Sequence, residues 1–372
     1  MKDILFIMTD LNGGGAEKSL IKLLESIDYT QYRVSLCLLF HKGVYLQDIP
    51  SKVRVISLFN DRHSLLYYLQ FIFYRICKSS CFLSFLAYLK IRDTYDVIIS
   101  FMEGYPLLLH SLITKKGKIN ISWIHCDLYN YHYTKHFFLK PDSELNSYKK
   151  MDKLVFVSQK GMKHFEDLYQ INIPKYYIYN IVDTNEIRKL AIMQTNSKHP
   201  FTITSIGSLI PIKGFERLIS MARRLKDDGY HFCIQVIGEG LQKKELIELR
   251  NRLQLEDDIL FLGFQKSPYT YLQQSDIFVS TSISEGLPYV ICEALTLGVP
   301  VVATKTVGAM ELLGDNEFGI VTEHDDISIY LGVKSLMDNP ELRSRYACKG
   351  EERMEYFKRE KIMPEVYSLI GD

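Results

Sequence analysis

Short, unbroken apolar runs alternate with helix-like segments along the whole chain, and this alternation constrains the fold more than any other feature. The runs lie at residues 4–8, 34–40, 53–58, 97–101, 119–124, 154–158, 176–179, 201–206, 232–237, 259–262, 277–281, 299–303 and 320–322. Runs without intervening polar positions are typical of strands buried on both faces, as in parallel sheets. Between many of them, as at 215–228 and 241–253, apolar residues recur at helical spacing. The pattern predicts a doubly wound α/β protein.

The chain is long enough for two such domains. Its 372 residues exceed what one hydrophobic core normally spans, and each half has enough apolar runs for its own sheet. We expect an N-terminal Rossmann-like domain at 1–183, a C-terminal one at 184–350 and a last segment at 351–372. The boundary falls in the polar stretch between Asp183 and Pro200. Ligands of open α/β sheets bind at the carboxyl ends of the strands, so two facing domains would form a cleft there.

Composition and charge exclude several classes of protein. The chain has 45 Lys and Arg against 44 Asp and Glu, and a net charge of +1 argues against a dedicated nucleic-acid-binding protein. The apolar run at 4–8 is too short for the core of a signal peptide. The most apolar region is interrupted by Arg75 and Lys78, whereas a membrane-spanning helix needs about 20 residues. We therefore expect a cytoplasmic protein.

Two glycine-rich turns follow apolar runs and could accept an anion. Residues 13–15 are three glycines before the first helical segment, and Gly238 and Gly240 flank Glu239 in the second half. Glycine lets a ligand approach the backbone, and a helix N-terminus offers unpaired amides to a phosphate. Neither turn matches the phosphate loop of nucleoside triphosphatases or the dinucleotide fingerprint. Taken alone, each is explained more simply as a tight strand-to-helix turn.

The most informative segment is 280–294, which follows an apolar run. Pro288 is suited to open a helix, so that Glu285 lies in the preceding loop and Glu293 in the second helical turn. The backbone amides between the two glutamates would face a ligand, and each carboxylate could accept hydrogen bonds from a pair of sugar hydroxyls. This combination suits a sugar nucleotide. For one isolated glutamate, a capping or solvated surface role would be the simpler explanation.

The spacing of Glu285 and Glu293 within Ser-Glu-Gly-Leu-Pro resembles the signature of family 4 glycosyltransferases, which are retaining enzymes of GT-B fold. Other motifs match in the family's order over essentially the whole chain. They are Gly14-Gly15-Ala16-Glu17, Trp123-Ile124-His125, Asn180-x-Val182-Asp183, Gly207-x-Leu209-x-x-x-Lys213-Gly214, Gly238-Glu239-Gly240 and Gly308-Ala309-Met310-Glu311. In this family the last helix commonly crosses back to the first domain.

The resemblance implies a role for each matching residue. The implied catalytic residues are Glu285, His125 and Lys213, and the implied donor-binding residues are Gly14, Gly15, Ser208, Lys213, Gly238, Leu287, Pro288, Tyr289 and Glu293. Lys213 would stabilise the departing nucleoside diphosphate, where negative charge develops. Glu285 would hold the hydroxyls of the transferred sugar, and Glu293 the ribose. His125 would stand near the donor sugar and the acceptor, although a lone histidine at a strand end serves packing about as often.

One residue departs from the family's pattern. The family usually has Arg at the position of Ser208, and a hydroxyl cannot make the bidentate contact that a guanidinium makes with phosphate. Either another cation substitutes or the leaving group is held less strongly. No Asp-x-Asp motif follows an apolar run, so no ligand set for Mg²⁺ or Mn²⁺ is visible. We expect no metal and no other cofactor.

The resulting prediction is a retaining GT-B glycosyltransferase whose first domain carries the acceptor and whose second binds the nucleotide sugar. The donor would be a UDP-hexose or UDP-N-acetylhexosamine, and the acceptor a growing bacterial surface glycan on a lipid carrier. Two alternatives stay open: a GT-B nucleotide-sugar epimerase, and a non-catalytic GT-B partner subunit. The sequence does not specify the donor sugar, the acceptor, the linkage or the oligomeric state.

A membrane surface is a further expected partner. Between Asn60 and Arg92 the aromatic and aliphatic residues outnumber what one buried helix face requires, and Arg75, Lys78 and Lys90 are interleaved with them. This composition fits helices that lie in a headgroup interface beside anionic lipid. The region belongs to residues 1–186, which carry 23 basic and 18 acidic side chains (net +5). We expect peripheral attachment to the inner face of the cell membrane, with ordinary core helices as the alternative.

Overall fold

The computed structural model describes residues 1–77, 79–140, 142–191 and 200–371. Lys78 and residues 192–199 of the predicted boundary stretch lie outside the described residues. The strands are β1 (Lys2–Met8), β2 (Tyr32–Phe40), β3 (Arg54–Phe59), β4 (Tyr95–Ser100), β5 (Gly117–Ile124), β6 (Lys153–Phe156), β7 (Lys175–Tyr177), β8 (Phe201–Ile206), β9 (Phe232–Ile237), β10 (Ile259–Gly263), β11 (Ile277–Ser280), β12 (Val301–Thr304) and β13 (Ile320–Thr322).

The α-helices lie between these strands and after the last of them. They are α1 (Gly15–Ser26), α2 (Leu65–Cys77), α3 (Cys81–Lys90), α4 (Tyr105–Ile113), α5 (Ser143–Tyr148), α6 (Gln159–Leu168), α7 (Thr184–Leu190), α8 (Phe215–Asp227), α9 (Lys243–Arg252), α10 (Tyr269–Gln273), α11 (Tyr289–Thr296), α12 (Val307–Leu313), α13 (Asp326–Asp338), α14 (Pro340–Met354) and α15 (Arg359–Gly371). The chain divides into two compact units, one of Met1–Ile181 with Arg359–Asp372 and the other of Val182–Lys358.

The first unit is built on a parallel sheet with the order β3-β2-β1-β4-β5-β6-β7 among the described residues. The order reverses between β1 and β4, because β1 pairs with β2 on one side and with β4 on the other. Ile4 thus lies opposite both Val34 and Val97. The side chains of β1 from Ile4 to Met8 are buried, as expected of a central strand covered on both faces. The segments that follow β1 and β4 run in opposite directions from this point of the sheet. A crevice therefore opens at the carboxyl ends of the two strands.

The closing helix α15 belongs to the first unit, although the whole second unit precedes it in the chain. The ring of Tyr367 stacks on Tyr32 with ring centroids 5.5 Å apart, and its hydroxyl accepts a hydrogen bond from the amide of Asp28 at 2.9 Å. Lys153 Nζ donates to the carbonyl of Leu369 at 2.9 Å. The apolar face of α15 is buried, so the helix is part of the unit's core.

The second unit repeats this plan with the order β10-β9-β8-β11-β12-β13 among the described residues. All of its strand pairs are parallel, and the order reverses between β8 and β11. Residues of α8 such as Leu218 and Leu225 pack against the sheet as fully buried side chains. Every predicted apolar run coincides with a strand in its unit, and the prediction of two doubly wound sheets is confirmed.

The helices α2 and α3 expose an unusual amount of apolar side chain. Leu65 is 73% exposed, Ile76 74% and Phe85 62%, whereas Leu83 and Leu86 are buried under the sheet. In the part of the chain that the structure describes, no helix combines the length and the apolar character that crossing a bilayer requires.

Candidate functional site

The turns after β8 and β11 lie beside each other at the reversal of the second sheet, and each carries a predicted site residue. The ammonium group of Lys213, in the turn after β8, forms an ion pair with Oε1 of Glu285, in the turn after β11. The hydroxyl of Ser282 donates to the same carboxylate oxygen at 2.8 Å. The side chains of Lys213 and Glu285 stay 25% and 16% exposed, so a ligand can reach the pair.

Hydrogen bonds hold the two turns against each other. The amide of Ile283 donates to the carbonyl of Ile212 at 2.8 Å, and Thr281 Oγ1 donates to the carbonyl of Lys213 at 3.1 Å. Gly214 has a φ of +61°, and a Cβ at this position would collide with the Thr281 carbonyl. The glycine that follows Lys213 therefore allows the close approach on which the ion pair depends.

Arg217 is a residue of this site that sequence reasoning missed. It lies in the first turn of α8, and its guanidinium Nη2 donates to the carbonyl of Thr281 at 2.5 Å. Its Nε is buried and has no hydrogen-bond partner among the described residues. The sequence signal that could have identified Arg217 is its position four residues after Lys213, which is about one helical turn. Arg217 supplies a second positive charge next to the Gly214 turn.

The helix α11 begins at Tyr289 after Pro288, as the sequence predicts. Glu293 lies in its second turn and is 4% exposed, and the hydroxyl of Tyr269 donates to its Oε1 at 3.3 Å. The side chains of Leu287 and Tyr289 are buried, so the backbone is the part of this segment that a donor would meet. The proposed ribose contact of Glu293 stays a prediction.

The two remaining residues predicted for the donor site in this unit lie on the turns after β8 and β9. Ser208 is exposed. Gly238 has a φ of +148°, and a Cβ there would overlap the carbonyl of Gly207, so the two turns pack directly on each other. Next to them lies an open depression of about 570 Å³. Its lining consists of Gly240, Leu241, Lys243, Lys244, Ile247 and Glu248.

In the first unit, His125 lies just beyond β5 and is tied to a buried glutamate. The amide of His125 donates to Oε2 of Glu103 at 2.9 Å, and the hydroxyl of Tyr133 donates to Oε1 of the same carboxylate at 2.7 Å. Burial lowers the pKa of His125 to about 4, so its imidazole is neutral near pH 7. Its Nε2 has no hydrogen-bond partner among the described residues. Sequence reasoning missed Glu103. The available signal was its position just after the apolar run at 97–101, which is like that of His125 after the run at 119–124.

A carboxyl group lies against the glycine turn after β1. The side chain of Glu17 folds back so closely that a Cβ on Gly14 would overlap its Oε2. Gly14 and Gly15 themselves stay exposed. Burial, together with the nearby carboxylates of Asp10 and Glu103, raises the pKa of Glu17 to about 7. A negative charge on Glu17 would repel a donor phosphate at these glycines, an effect that the sequence did not indicate.

A metal centre built from side chains requires several ligands in one place. Among the described residues, no group of three or more His, Cys, Asp and Glu side chains is arranged to hold an ion.

Comparison with known sequences finds a family match within the second unit. Residues 188–353 match the family described as glycosyl transferases group 1. A Campylobacter jejuni protein, named N-acetylgalactosamine-N,N'-diacetylbacillosaminyl-diphospho-undecaprenol 4-alpha-N-acetylgalactosaminyltransferase, is 36% identical over 221 residues, which cover 58% of this chain and 59% of that protein. An uncharacterized glycosyltransferase of Haemophilus influenzae is 25% identical over the full length of both chains.

Comparison with solved structures covers both units. The Anabaena protein HepE, solved in complex with UDP and glucose, matches with a TM-score of 0.76 at 20% identity over 100% of both chains. Staphylococcus aureus TarM matches with a TM-score of 0.76 at 14% identity, again over 100% of both chains. At such identities the likeness shows the fold alone. Residues 188–353 thus resemble the glycosyl transferases group 1 family, and the two parallel sheets have the GT-B fold.

Proposed function

We propose that this chain transfers a hexose or N-acetylhexosamine from a UDP-sugar, with retention of configuration, to a growing surface glycan on a lipid carrier. The observation that carries the proposal is the ion pair of Lys213 and Glu285 at the reversal of the second sheet. An open α/β sheet binds its ligand at this position, and the pair offers one group for a diphosphate and one for sugar hydroxyls.

The ion pair defines what each residue does when the donor binds. The diphosphate replaces Glu285 as the partner of Lys213, and the carboxylate turns to the hydroxyls of the transferred sugar. When the bond between C1 and the diphosphate oxygen breaks, Lys213 stabilises the charge that develops on the departing UDP. The acceptor hydroxyl forms the new bond to C1 on the face that the diphosphate leaves, which retains the configuration. Its proton passes to the diphosphate.

The neutral His125 supports an acceptor or sugar contact in the first unit. An imidazole with a pKa of about 4 is not protonated at pH 7, so it can accept or donate a hydrogen bond but cannot carry a charge. The amide hydrogen bond to Glu103 fixes the backbone at this strand end. We assign His125 to the hydroxyl of the sugar or of the acceptor.

Relatives and neighbours support the substrate classes. The name of the Campylobacter relative specifies a diphospho-undecaprenol acceptor, and an Escherichia coli relative, 31% identical over 183 residues, is named for colanic acid biosynthesis. The HepE and TarM structures contain UDP. These names favour a UDP-sugar donor and a lipid-linked polysaccharide acceptor for this chain.

The exposed faces of α2 and α3 support attachment to an anionic membrane surface. Exposed aliphatic and aromatic side chains on both helices include Leu65, Leu69, Ile76 and Phe85. Residues 62–92 contain five Lys and Arg and no Asp or Glu. Exposed apolar side chains interleaved with basic ones match the boundary between acyl chains and anionic headgroups. A lipid-linked acceptor would be presented at such a surface.

A nucleotide-sugar screen tests the function directly. Purified protein is heated with a panel of UDP-, GDP- and TDP-sugars, and a bound donor at 100 times its dissociation constant should stabilise the fold by about 2.7 kcal/mol. The best binder is then incubated with and without a lipid-linked glycan extract, and UDP release is measured. Release that requires acceptor supports transfer, whereas sugar isomerisation without acceptor would identify an epimerase. Binding without turnover under both conditions would identify a non-catalytic subunit.

A further inference from the structure

The loop that follows His125 is fixed by hydrogen bonds at several points. We call residues 127–133 the tyrosine loop. Asp127 is 2% exposed, and its carboxylate accepts hydrogen bonds from the amide of Tyr129 at 3.2 Å and from Asn130 Nδ2 at 2.6 Å. Its two oxygens also lie 3.2 Å from Nδ1 of His164 on α6. A buried carboxylate with three partners organises the first half of the loop.

The second half of the loop is fixed in the same way. His132 Nε2 lies 2.8 Å from Oε2 of the buried Glu144 on α5, and the hydroxyl of Tyr133 donates to Glu103. The amide of Tyr131 donates to the carbonyl of Asp127 at 3.0 Å. Three other parts of the unit therefore hold the loop: α6, α5 and the end of β4.

Two aromatic rings of this rigid loop face solvent. Tyr129 is 55% exposed and contacts the ring of His164, while Tyr131 is 46% exposed and stacks on Tyr133. The aliphatic residue of the loop, Leu128, is buried. Exposed tyrosines on a fixed backbone provide a large contact area at low entropic cost. Loops held by a rigid scaffold commonly carry binding residues.

We propose that Tyr129 and Tyr131 form a binding platform for a pyranose ring of the acceptor glycan. The face of a pyranose that carries axial C–H groups is apolar and weakly positive, and it stacks on the negative face of an aromatic ring. Its hydroxyls would find the polar side chains of Asn130 and His164 beside those rings. The inference rests on the proposed function, because it assigns the part of that site that holds the acceptor.

The composition of the tyrosine loop favours a sugar over a lipid surface. The exposed apolar residues of α2 include several aliphatic side chains, such as Leu65 and Ile76. In the tyrosine loop, the exposed residues are Tyr129, Asn130 and Tyr131. Rings interleaved with hydrogen-bonding groups match the mixed apolar and polar surface of a carbohydrate.

Saturation-transfer NMR tests the platform without a known acceptor. The probes are the octyl α- and β-glycosides of glucose, galactose, N-acetylglucosamine and N-acetylgalactosamine, each below its micelle concentration. We expect saturation of the ring C–H protons of at least one probe in the wild-type protein. Tyr129→Ala and Tyr131→Ala should each raise its dissociation constant about tenfold, and Tyr131→Phe should keep the affinity because the ring is retained. Tyr176→Ala, at an exposed tyrosine of β7, is the matched control.

Two outcomes would overturn the platform. One is a wild-type protein that transfers saturation to none of the probes. The other is undiminished saturation in both alanine variants. UDP-sugar binding in the same samples separates this failure from that of the proposed function. A wild-type protein that does not bind a UDP-sugar contradicts the proposed function. A wild-type protein that binds a UDP-sugar but gives either of these two probe results contradicts only the platform.

Discussion

The ammonium group of Lys213 and the carboxylate of Glu285 form an ion pair across 72 residues of sequence. Both are partly exposed, so solvent weakens the pair and a ligand with a stronger charge can separate it. A diphosphate carries that charge. The pair holds both side chains at the edge of the sheet, and in the proposed function each of them exchanges its partner for a part of the donor.

The two glutamates should differ in the kinetic step that they affect. Glu285→Gln should lower kcat about 100-fold with a small change in the donor KM, because this carboxylate is assigned to the reacting sugar. Glu293→Gln should mainly raise the donor KM, because the ribose does not change in the transition state. Steady-state kinetics of both variants provide the check. Losses confined to KM in both would contradict the assignment.

The proposed role of positive charge in binding the donor diphosphate can be tested by removing one cationic side chain and by adding another. Lys213→Ala should lower kcat/KM by about 10²–10³-fold, because it removes a charge at the leaving group. Ser208→Arg should fold normally and lower the donor dissociation constant, since it introduces the cation that is usual at this position in family 4 glycosyltransferases. Isothermal titration with the donor measures both. A folded Ser208→Arg protein with weaker donor binding would mean that another cation already occupies that space, and Arg217 at the Gly214 turn is a candidate.

Activity should not depend on a divalent metal ion. The charge on the diphosphate is assigned to Lys213 and to backbone amides, and the described residues lack a cluster of three ligating side chains. Turnover measured after treatment with EDTA and gel filtration should match that of untreated enzyme. Activity that is lost on treatment and restored by Mn²⁺ would contradict this phosphate site.

Glu17 should make the stability of the protein depend on pH. Its pKa is about 7 in the folded state against 4.5 for an ordinary glutamate. As pH rises from 4.5 to 7, the unfolded chain loses this proton while the folded chain keeps it, so the stability contribution of the group falls. A glutamine at position 17 has no proton to lose, so the Glu17→Gln variant does not show this fall in stability. The Tm of the variant should therefore exceed that of the wild type at pH 8 but not at pH 4.5.

A pH series of melting curves gives the comparison for Glu17. Glu25→Gln on the same helix is the control, because Glu25 faces solvent and pairs with Lys22. A difference in Tm between Glu17→Gln and the wild type that is the same at every pH would show that the carboxyl group of Glu17 does not titrate in this range.

Binding to anionic vesicles should depend on the basic residues among the exposed apolar ones. The wild type should sediment with phosphatidylglycerol vesicles at low salt and be released at high salt, because the Debye length falls from about 10 Å at 0.1 M to about 3 Å at 1 M. Arg75→Glu combined with Lys78→Glu should reduce binding. Arg252→Glu with Arg345→Glu changes the net charge equally in the second unit and should not. A folded wild-type protein that ignores such vesicles at low salt would remove the membrane from the function.

Strand positions were predictable because buried parallel strands are short segments rich in apolar and β-branched residues. The runs at 201–206, 232–237 and 320–322 coincide with β8, β9 and β13 to the residue. The position of Glu293 was also predictable, since a proline fixes where α11 begins. Such features are local, and the sequence therefore contains them directly.

Contacts between distant turns were not predictable. Nothing in the sequence indicated that Lys213 meets Glu285, that Glu103 supports His125, or that Glu17 folds back onto Gly14. Each depends on how separate turns pack at a sheet edge, and the same packing raises the pKa of Glu17 and lowers that of His125. The parallel order of strands decides which loops are neighbours, and that order is a property of the whole sheet.

The position of α15 has a consequence for synthesis on the ribosome. The first unit needs this helix to cover Tyr32 and to receive Lys153, yet α15 is translated only after the whole second unit. At about 5–20 residues per second, the first sheet waits for on the order of ten seconds with one flank uncovered. The second unit is continuous in the chain, and its last residue is translated before α15 begins. The unit whose synthesis starts first is thus the last to have all of its residues available.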